Sequence, residues 1–149
     1  METKFNSNSQ ICTTREQSEL LLALGLKKET ADMTIHIKGD GGWYVTAEPF
    51  YEWEDDMNTF SSFEETEQIL PAWSLHRLLE LLSKIKKYED EDELMYPRIS
   101  IEEDDVILVN PKSIWVRRSF CSTKGIYENI INCFEHLIKE GYFNKEYLV

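Results

Sequence analysis

Cysteine is scarce in this chain, and the few cysteines are odd in number and widely spaced, which is not the pattern of a disulfide framework. The sequence holds three of them, Cys12, Cys121 and Cys133, spread over most of its 149 residues. Small secreted domains that depend on disulfides carry several closely spaced cysteines, usually an even number. We therefore expect free thiols in a reducing compartment.

Long hydrophobic runs are absent as well. The longest apolar stretch, Leu20 to Leu26, is far shorter than the roughly 20 residues that cross a bilayer. The polar beginning METKFNSNSQ has neither the basic region nor the apolar region of a signal peptide. These features predict a cytoplasmic protein with no membrane partner.

Basic residues are also in deficit. Asp and Glu number 28 against 16 Lys and Arg, which gives a net charge of -12. A protein that binds nucleic acid or anionic lipid needs a surplus of Lys and Arg at the contact surface. The charge therefore argues against direct nucleic-acid binding and favours a protein partner with a basic surface.

The acidic residues are concentrated in two tracts. Residues 48–67 contain eight acids and no base, and residues 89–105 contain nine acids and one base. Runs of like charge are usually solvated. We predict acidic loops at residues 48–67 and 88–95, within a single domain that spans residues 1–149 and has a flexible segment at residues 1–12.

Capping patterns predict the first and last helices. Thr14 and Gln17 have the spacing of a capping box, in which each side chain accepts a hydrogen bond from the other residue's backbone. Gly25 follows the leucine run of this helix, and Gly141 follows the apolar stripes of GIYENIINCFEHLIKEGYF. Glycine at such positions marks the end of a helix.

A third helix is predicted in ILPAWSLHRLLELL. Ser74 is the expected N-cap, with Pro71 as a rigid approach to it. This places Trp73 just before the cap and Leu78 in the first turns, where the two side chains form a hydrophobic staple. We interpret Trp73 as a packing residue, with ligand stacking as the alternative.

Alternating apolar residues predict the strands. MTIHIK and WYVTAE flank a glycine-rich turn and predict a hairpin at residues 33–47. PRISIEEDDVILVN predicts a second hairpin, and IWVRRSF a strand beside it. The element order α-β-β-α-β-β-β-α predicts an α+β fold, with a largely antiparallel sheet of about five strands in two hairpin groups covered by three helices.

Several blocks together resemble a known family. TTREQSELLLALGLKKETADMT, PAWSLHRLLELL, YPR and WVR occur in this order over most of the chain. This arrangement resembles a family of proteins carried by phages and prophages of gut Bacteroidetes, which has no established activity. The resemblance implies a mobile-element accessory protein in a bacterial cytoplasm and supplies no functional residues.

Residues suited to catalysis or metal binding do not form a recognised pattern. The sequence has no G-x-S-x-G turn, and its glycine-rich KGDGGW lacks the Lys-Ser/Thr of a phosphate-binding loop. Cys133 and His136 have the spacing of two zinc ligands, but no second pair completes a tetrahedral site. We expect no enzyme activity, no cofactor and no metal, and the alternative is an enzyme whose site is assembled from scattered residues.

Two acidic segments are candidates for partner binding. EPFYEWEDDMNTFSSFEE interleaves aromatic residues, which anchor interfaces, with acids that steer a partner. IEEDDV spaces its carboxylates about as far apart as the phosphates of one DNA strand, which would permit nucleic-acid mimicry. The candidate residues are Phe50, Tyr51, Trp53, Glu54, Asp55, Asp56, Glu102, Glu103, Asp104 and Asp105.

Each segment also has a simpler interpretation. The aromatic residues could cover an open face of the sheet, and the acids could serve only as a soluble turn. On balance the sequence predicts a small non-catalytic protein that binds another protein. The alternative is an acidic inhibitor that occupies the nucleic-acid groove of a host defence or DNA-processing protein.

Overall fold

The computed structural model describes residues 10–50, 68–82, 88–90, 93–95, 98–109 and 117–149. Its helices are α1 (Arg15–Ala23), α2 (Leu75–Leu82) and α3 (Ile126–Lys139). Its strands are β1 (Met33–Ile37), β2 (Trp43–Thr46), β3 (Gln68–Ala72), β4 (Tyr88–Asp90), β5 (Glu93–Met95), β6 (Arg98–Glu102), β7 (Asp105–Val109) and β8 (Arg117–Phe120).

The described strands form separate antiparallel sheets. One sheet has the order β2-β1-β3, another has the order β6-β7-β8, and β4 pairs with β5. The predicted α+β class is confirmed. The single sheet of about five strands and the predicted element order are not confirmed, because β3, β4 and β5 were not expected. The tract at residues 88–95, predicted as an acidic loop, contains β4 and β5.

Helix α1 begins and ends where its capping residues predict. The Thr14 hydroxyl accepts a hydrogen bond from the Gln17 N–H at 3.2 Å, and the Gln17 side chain accepts one from the Thr14 N–H at 3.0 Å. After the helix, Gly25 has a φ of 98°, and the Leu26 N–H reaches back to the Leu21 carbonyl at 3.1 Å. This is a Schellman ending, which satisfies carbonyls that the helix itself leaves free.

The hairpin predicted at residues 33–47 is present as β1 and β2. The Lys38 N–H donates to the Gly42 carbonyl at 2.7 Å, and the Gly41 N–H donates to the Lys38 carbonyl at 3.0 Å. Gly41 has a φ of 89°. These features define a three-residue loop with a glycine bulge, a geometry that a residue with a side chain adopts only with strain.

Strand β3 contains a proline, which is unusual within a sheet. Pro71 lies opposite Thr34 of the central strand β1. The backbone hydrogen bonds of β1 alternate between its two neighbours, and those of Thr34 go to β2. Pro71 therefore needs no N–H toward β1, and its ring causes no loss of a hydrogen bond in the sheet.

Trp73 joins β3 to α2 and is completely buried. The Ser74 hydroxyl accepts a hydrogen bond from the Arg77 N–H at 3.1 Å, so Ser74 is the N-cap as predicted. Leu78 is also fully buried in the same core cluster. The Trp73 indole N–H donates to the Thr30 hydroxyl at 2.9 Å. These contacts confirm the predicted packing role of Trp73.

Helix α3 provides much of the main core. It packs against β7 and β8, and Gly141, with a φ of 77°, lies just beyond its last turn as predicted. Its fully buried apolar side chains form adjoining stripes, as the sequence indicated, and the polar Asn129 is buried beside them. The apolar side chains are those of Ile130, Ile131, Cys133, Phe134 and Leu137.

A second, smaller apolar cluster lies on the other face of the first sheet. Side chains alternate along β1, so Met33, Ile35 and Ile37 share one face while Thr34 and His36 share the opposite face. The first face is covered by the chain around Cys12, which is buried with Met33 and Ile35. The cover is incomplete, and a groove remains.

Candidate functional site

The candidate site is a groove of about 860 Å³, here named the hairpin groove. Its walls are the chain from Gln10 to Glu16 on one side and the β1–β2 hairpin on the other. The side chains that the hairpin contributes are apolar. They are Ile35, Ile37, Trp43 and Val45.

Two large apolar side chains at the groove are exposed. Trp43 has 70% of its surface accessible and Ile11 has 61%. A single exposed apolar residue is ordinary on a protein surface, but two beside an apolar groove form a contiguous patch. Such patches mark contact sites, and tryptophan is enriched among the residues that dominate binding energy.

The outer edge of β2 also offers backbone hydrogen-bonding groups. No strand within the described part of the chain pairs with this edge. Because Lys38 and Gly42 are a hydrogen-bonded pair, alternation makes Tyr44 and Thr46 bond to β1. The N–H and C=O groups of Trp43 and Val45 therefore point outward.

The wall opposite the hairpin is fixed to the core. The Thr13 N–H donates to the Trp73 carbonyl at 2.9 Å, and the Thr13 hydroxyl accepts from the Trp73 N–H at 3.1 Å. Thr13 and Ser18 share a further hydrogen bond of 2.7 Å between their buried hydroxyls. The groove is therefore formed before any partner arrives, which lowers the entropy cost of binding.

The two buried thiols, those of Cys12 and Cys133, are poorly suited to nucleophilic chemistry. Burial, with a smaller contribution from the Asp32 carboxylate, raises the pKa of Cys12 at the groove to about 11. Burial likewise raises the pKa of Cys133 to about 12, although Arg118 opposes the rise. Both thiols are protonated at neutral pH, whereas the thiolate is the reactive form.

The pair Cys133 and His136 is not arranged as a metal site. Cys133 is completely buried in the main core, and burial followed by the nearby Arg118 lowers the pKa of His136. In the part of the chain that the structure describes, no three His, Cys, Asp or Glu side chains converge as metal ligands. Its complete burial shows that Cys133 packs in the core.

A second surface of interest is the turn between β6 and β7, here named the acidic tip and formed by Glu102, Glu103, Asp104 and Asp105. All four residues are exposed. Glu103 has a φ of 56°, which costs free energy in any residue with a side chain. The turn is held by a hydrogen bond from helix α3, in which the buried Asn129 side chain donates from Nδ2 to the Asp104 carbonyl at 2.7 Å.

The residues predicted to bind a partner have different locations. Phe50 is buried in the main core, with 7% of its surface accessible, which agrees with the interpretation that aromatic residues of its segment cover the sheet. The four residues of the acidic tip lie together on the surface. The remaining candidates lie outside the described residues: Tyr51, Trp53, Glu54, Asp55 and Asp56.

Sequence reasoning did not identify Ile11 and Trp43 as site residues. The sequence predicts Trp43 only as the first residue of a hairpin strand. A strand with one solvated face alternates apolar and polar residues, but Trp43, Tyr44 and Val45 are consecutive and all large and apolar or aromatic. That break in alternation was the available signal. The sequence gives no such signal for Ile11, because Ile11 is a single apolar residue in a polar segment.

Comparisons with known proteins found no match: no protein-family model, curated protein or solved structure is similar to this chain. The resemblance to phage and prophage proteins therefore stays a prediction. Of the helices that the structure describes, none combines the length and apolar character needed to span a bilayer.

Proposed function

We propose that this chain is a small non-catalytic protein that binds another protein in the hairpin groove. The single observation that carries the proposal is the exposure of Trp43, at 70%, beside a preformed apolar groove. Covering such a side chain stabilises a complex by about 2 kcal/mol from apolar burial alone. We further propose, from the sequence resemblance, a phage or prophage accessory role in a bacterial cytoplasm.

The proposal is tested by affinity capture from the lysate of a gut Bacteroidetes bacterium. Wild-type protein and the variants Trp43→Ser and Ile11→Ser are immobilised, and the retained proteins are quantified by mass spectrometry. We expect Trp43→Ser to retain at least about tenfold less of a specific partner, as for a residue that dominates an interface.

Leu20→Ser is the matched control. Leu20 is an exposed apolar residue of α1, with 39% of its surface accessible, and it does not line the groove. The Leu20→Ser variant should retain the partner at the wild-type level. All three variants should have melting temperatures within a few degrees of wild type. Equal retention by wild type and Trp43→Ser would show that the groove is not the binding site.

A second candidate function is an acidic inhibitor that occupies a basic nucleic-acid groove. The observation that favours it is the acidic tip, where four exposed carboxylates are held on a turn fixed by Asn129. Such binding acts through long-range charge, so it weakens steeply with salt.

This candidate is distinguished by replacing the acidic tip with amides, using Glu102→Gln, Glu103→Gln, Asp104→Asn and Asp105→Asn together. If the tip imitates phosphates, this variant loses the partner, and wild-type capture falls at least about tenfold between 50 and 200 mM salt. Capture that survives both changes and is lost in Trp43→Ser supports the hairpin groove instead.

A further inference from the structure

We infer that the partner binds as an added strand: an extended, basic segment of another protein pairs with the outer edge of β2 and places alternate apolar side chains in the hairpin groove. The inference rests on the proposed function, because it takes the groove as a protein-binding site. It adds the mode of binding and the chemistry of the bound segment.

The first step concerns the backbone. The outward N–H and C=O groups of Trp43 and Val45 stand two residues apart on one edge, which is the repeat of an antiparallel or parallel ladder. An extended peptide is the ligand that satisfies such a row of donors and acceptors. A folded surface without a free strand edge would leave them facing water or unpaired.

The second step concerns the side chains. Trp43 and Val45 lie opposite Ile37 and Ile35, and these four side chains share the groove face of the sheet. Residues of an added strand that lie beside Trp43 and Val45 would project toward the same face. Every second residue of the bound segment should therefore be apolar, and the residues between them can be polar.

The third step concerns charge at the groove. Arg15 is paired with Glu19 at 3.1 Å, whereas Glu16, which also lines the groove, makes no ion pair within the described residues. The Lys38 ammonium lies over the Tyr44 ring at 5.6 Å, on the opposite face of the sheet. Among the described residues, the charged side chains at this wall are Arg15, Glu16 and Glu19, which together carry a net charge of -1.

The charge of the whole chain favours the same partner. At a net charge of -12, the protein attracts segments rich in Lys and Arg and repels a second copy of itself. A bound segment with basic residues at its ends would complement the Glu16 carboxylate and the negative net charge of the protein. We therefore assign the site to a basic segment of a different protein.

The test uses a fluorescein-labelled peptide of ten residues, with Val or Ile at alternate positions, Thr between them and Lys at each end. Binding to the full chain is measured by fluorescence anisotropy. Two further peptides keep the same side chains but carry N-methyl groups, one on the apolar residues and the other on the Thr residues. N-methylation removes the backbone donors along one edge of the peptide.

Strand addition predicts that one N-methylated peptide binds at least about tenfold more weakly while the other binds within about threefold of the parent, because only one peptide edge faces β2. Weakening by methyl groups on the apolar residues would indicate antiparallel addition, and weakening by those on Thr would indicate parallel addition. Equal behaviour of the two peptides overturns the inference.

The failure of strand addition is distinguishable from failure of the proposed function. If both methylated peptides bind as the parent does and Trp43→Ser still abolishes binding, the groove binds protein without strand pairing. If Trp43→Ser leaves parent binding unchanged, the proposed function fails as well.

The basic character of the segment is tested at Glu16. Glu16→Gln should weaken the binding of the Lys-ended peptide about threefold and leave the binding of a Thr-ended peptide unchanged.

Photo-crosslinking distinguishes a peptide bound in the hairpin groove from a second copy of the protein or another part of the same chain. The photoreactive amino acid p-benzoylphenylalanine is placed at position 11, where the exposure of Ile11 tolerates a larger side chain. Crosslinks to the peptide, identified by mass spectrometry and lost with the weaker methylated peptide, support the inference. Crosslinks only to a second copy or to the same chain overturn it.

Discussion

Trp73→Ala is expected to lower the free energy of unfolding by about 4 kcal/mol, the range measured for deleting a buried tryptophan. Trp73 has no accessible surface, and its neighbours in the main core come from several elements, so they cannot all move in to fill the space. The change also removes the indole hydrogen bond to the Thr30 hydroxyl. The buried hydroxyl then loses its donor.

The measurement is urea unfolding at neutral pH, supported by a thermal melt in which the midpoint should fall by about 10 °C. Trp43→Ala is the matched control, because the same substitution at a side chain that is 70% exposed should change stability by less than about 0.5 kcal/mol. The loss of stability caused by Trp73→Phe should lie between the losses caused by Trp73→Ala and Trp43→Ala. Comparable losses at positions 43 and 73 would contradict the packing described for Trp73.

Asn129→Asp is expected to lower the free energy of unfolding by about 3 kcal/mol near pH 7 and by much less near pH 4. Asn129 is completely buried and donates from Nδ2 to the Asp104 carbonyl at 2.7 Å. Its Oδ1 accepts no hydrogen bond from the described residues. An ionised carboxylate has no proton to donate and would face the carbonyl oxygen, whereas a neutral carboxylic acid can still donate.

The direction of the pH dependence follows from burial. Burial raises the pKa of the introduced carboxyl in the folded protein above its value in the unfolded chain, about 3.9. The folded state then binds more protons than the unfolded state between these two values, so stability falls as the pH rises through that interval. Below that pH interval the introduced carboxyl is protonated in both the folded and the unfolded state, so its ionisation no longer lowers stability.

The check is urea unfolding of wild type and Asn129→Asp at about pH 4 and about pH 7, with each variant compared to wild type at the same pH. Asn129→Leu is the control, because it removes the same donor without adding a titrating group. Its loss of stability should be equal at both pH values. A pH-independent loss for Asn129→Asp would refute this account of the anchor beneath the acidic tip.

Local elements were predictable because their causes are local. The capping box of Thr14 and Gln17, the glycine endings at Gly25 and Gly141, and the N-cap at Ser74 each depend on residues within one or two turns. The β1–β2 turn likewise depends on its own glycines. The physical determinants of these features lie within a few residues, so the sequence displays them directly.

Strand β3 was missed for a reason that is not local. Proline within a strand usually argues against a place in a sheet, because it cannot donate a hydrogen bond. Pro71 is tolerated only because Thr34, opposite it, directs its backbone groups to β2. That condition depends on which neighbours β1 acquires, and β3 follows β1 by some thirty residues in the sequence.

The hairpin groove was not predictable for a related reason. The pattern of β1 shows that Ile35 and Ile37 share a face, but it does not show what covers that face. The cover depends on the Thr13 hydrogen bonds to Trp73, which join the beginning of the described chain to a residue 60 positions later. Where this segment stops covering the sheet, Trp43 is left exposed.

The sequence alone determined the helix ends, the hairpins, the α+β class and the packing role of Trp73, because short-range hydrogen bonds and side-chain periodicity suffice for each. The tertiary structure alone decided that the strands separate into distinct sheets, that Phe50 is buried and that Trp43 is exposed. Burial and strand partnership depend on contacts between residues far apart in the chain, and no local pattern records which of those contacts form.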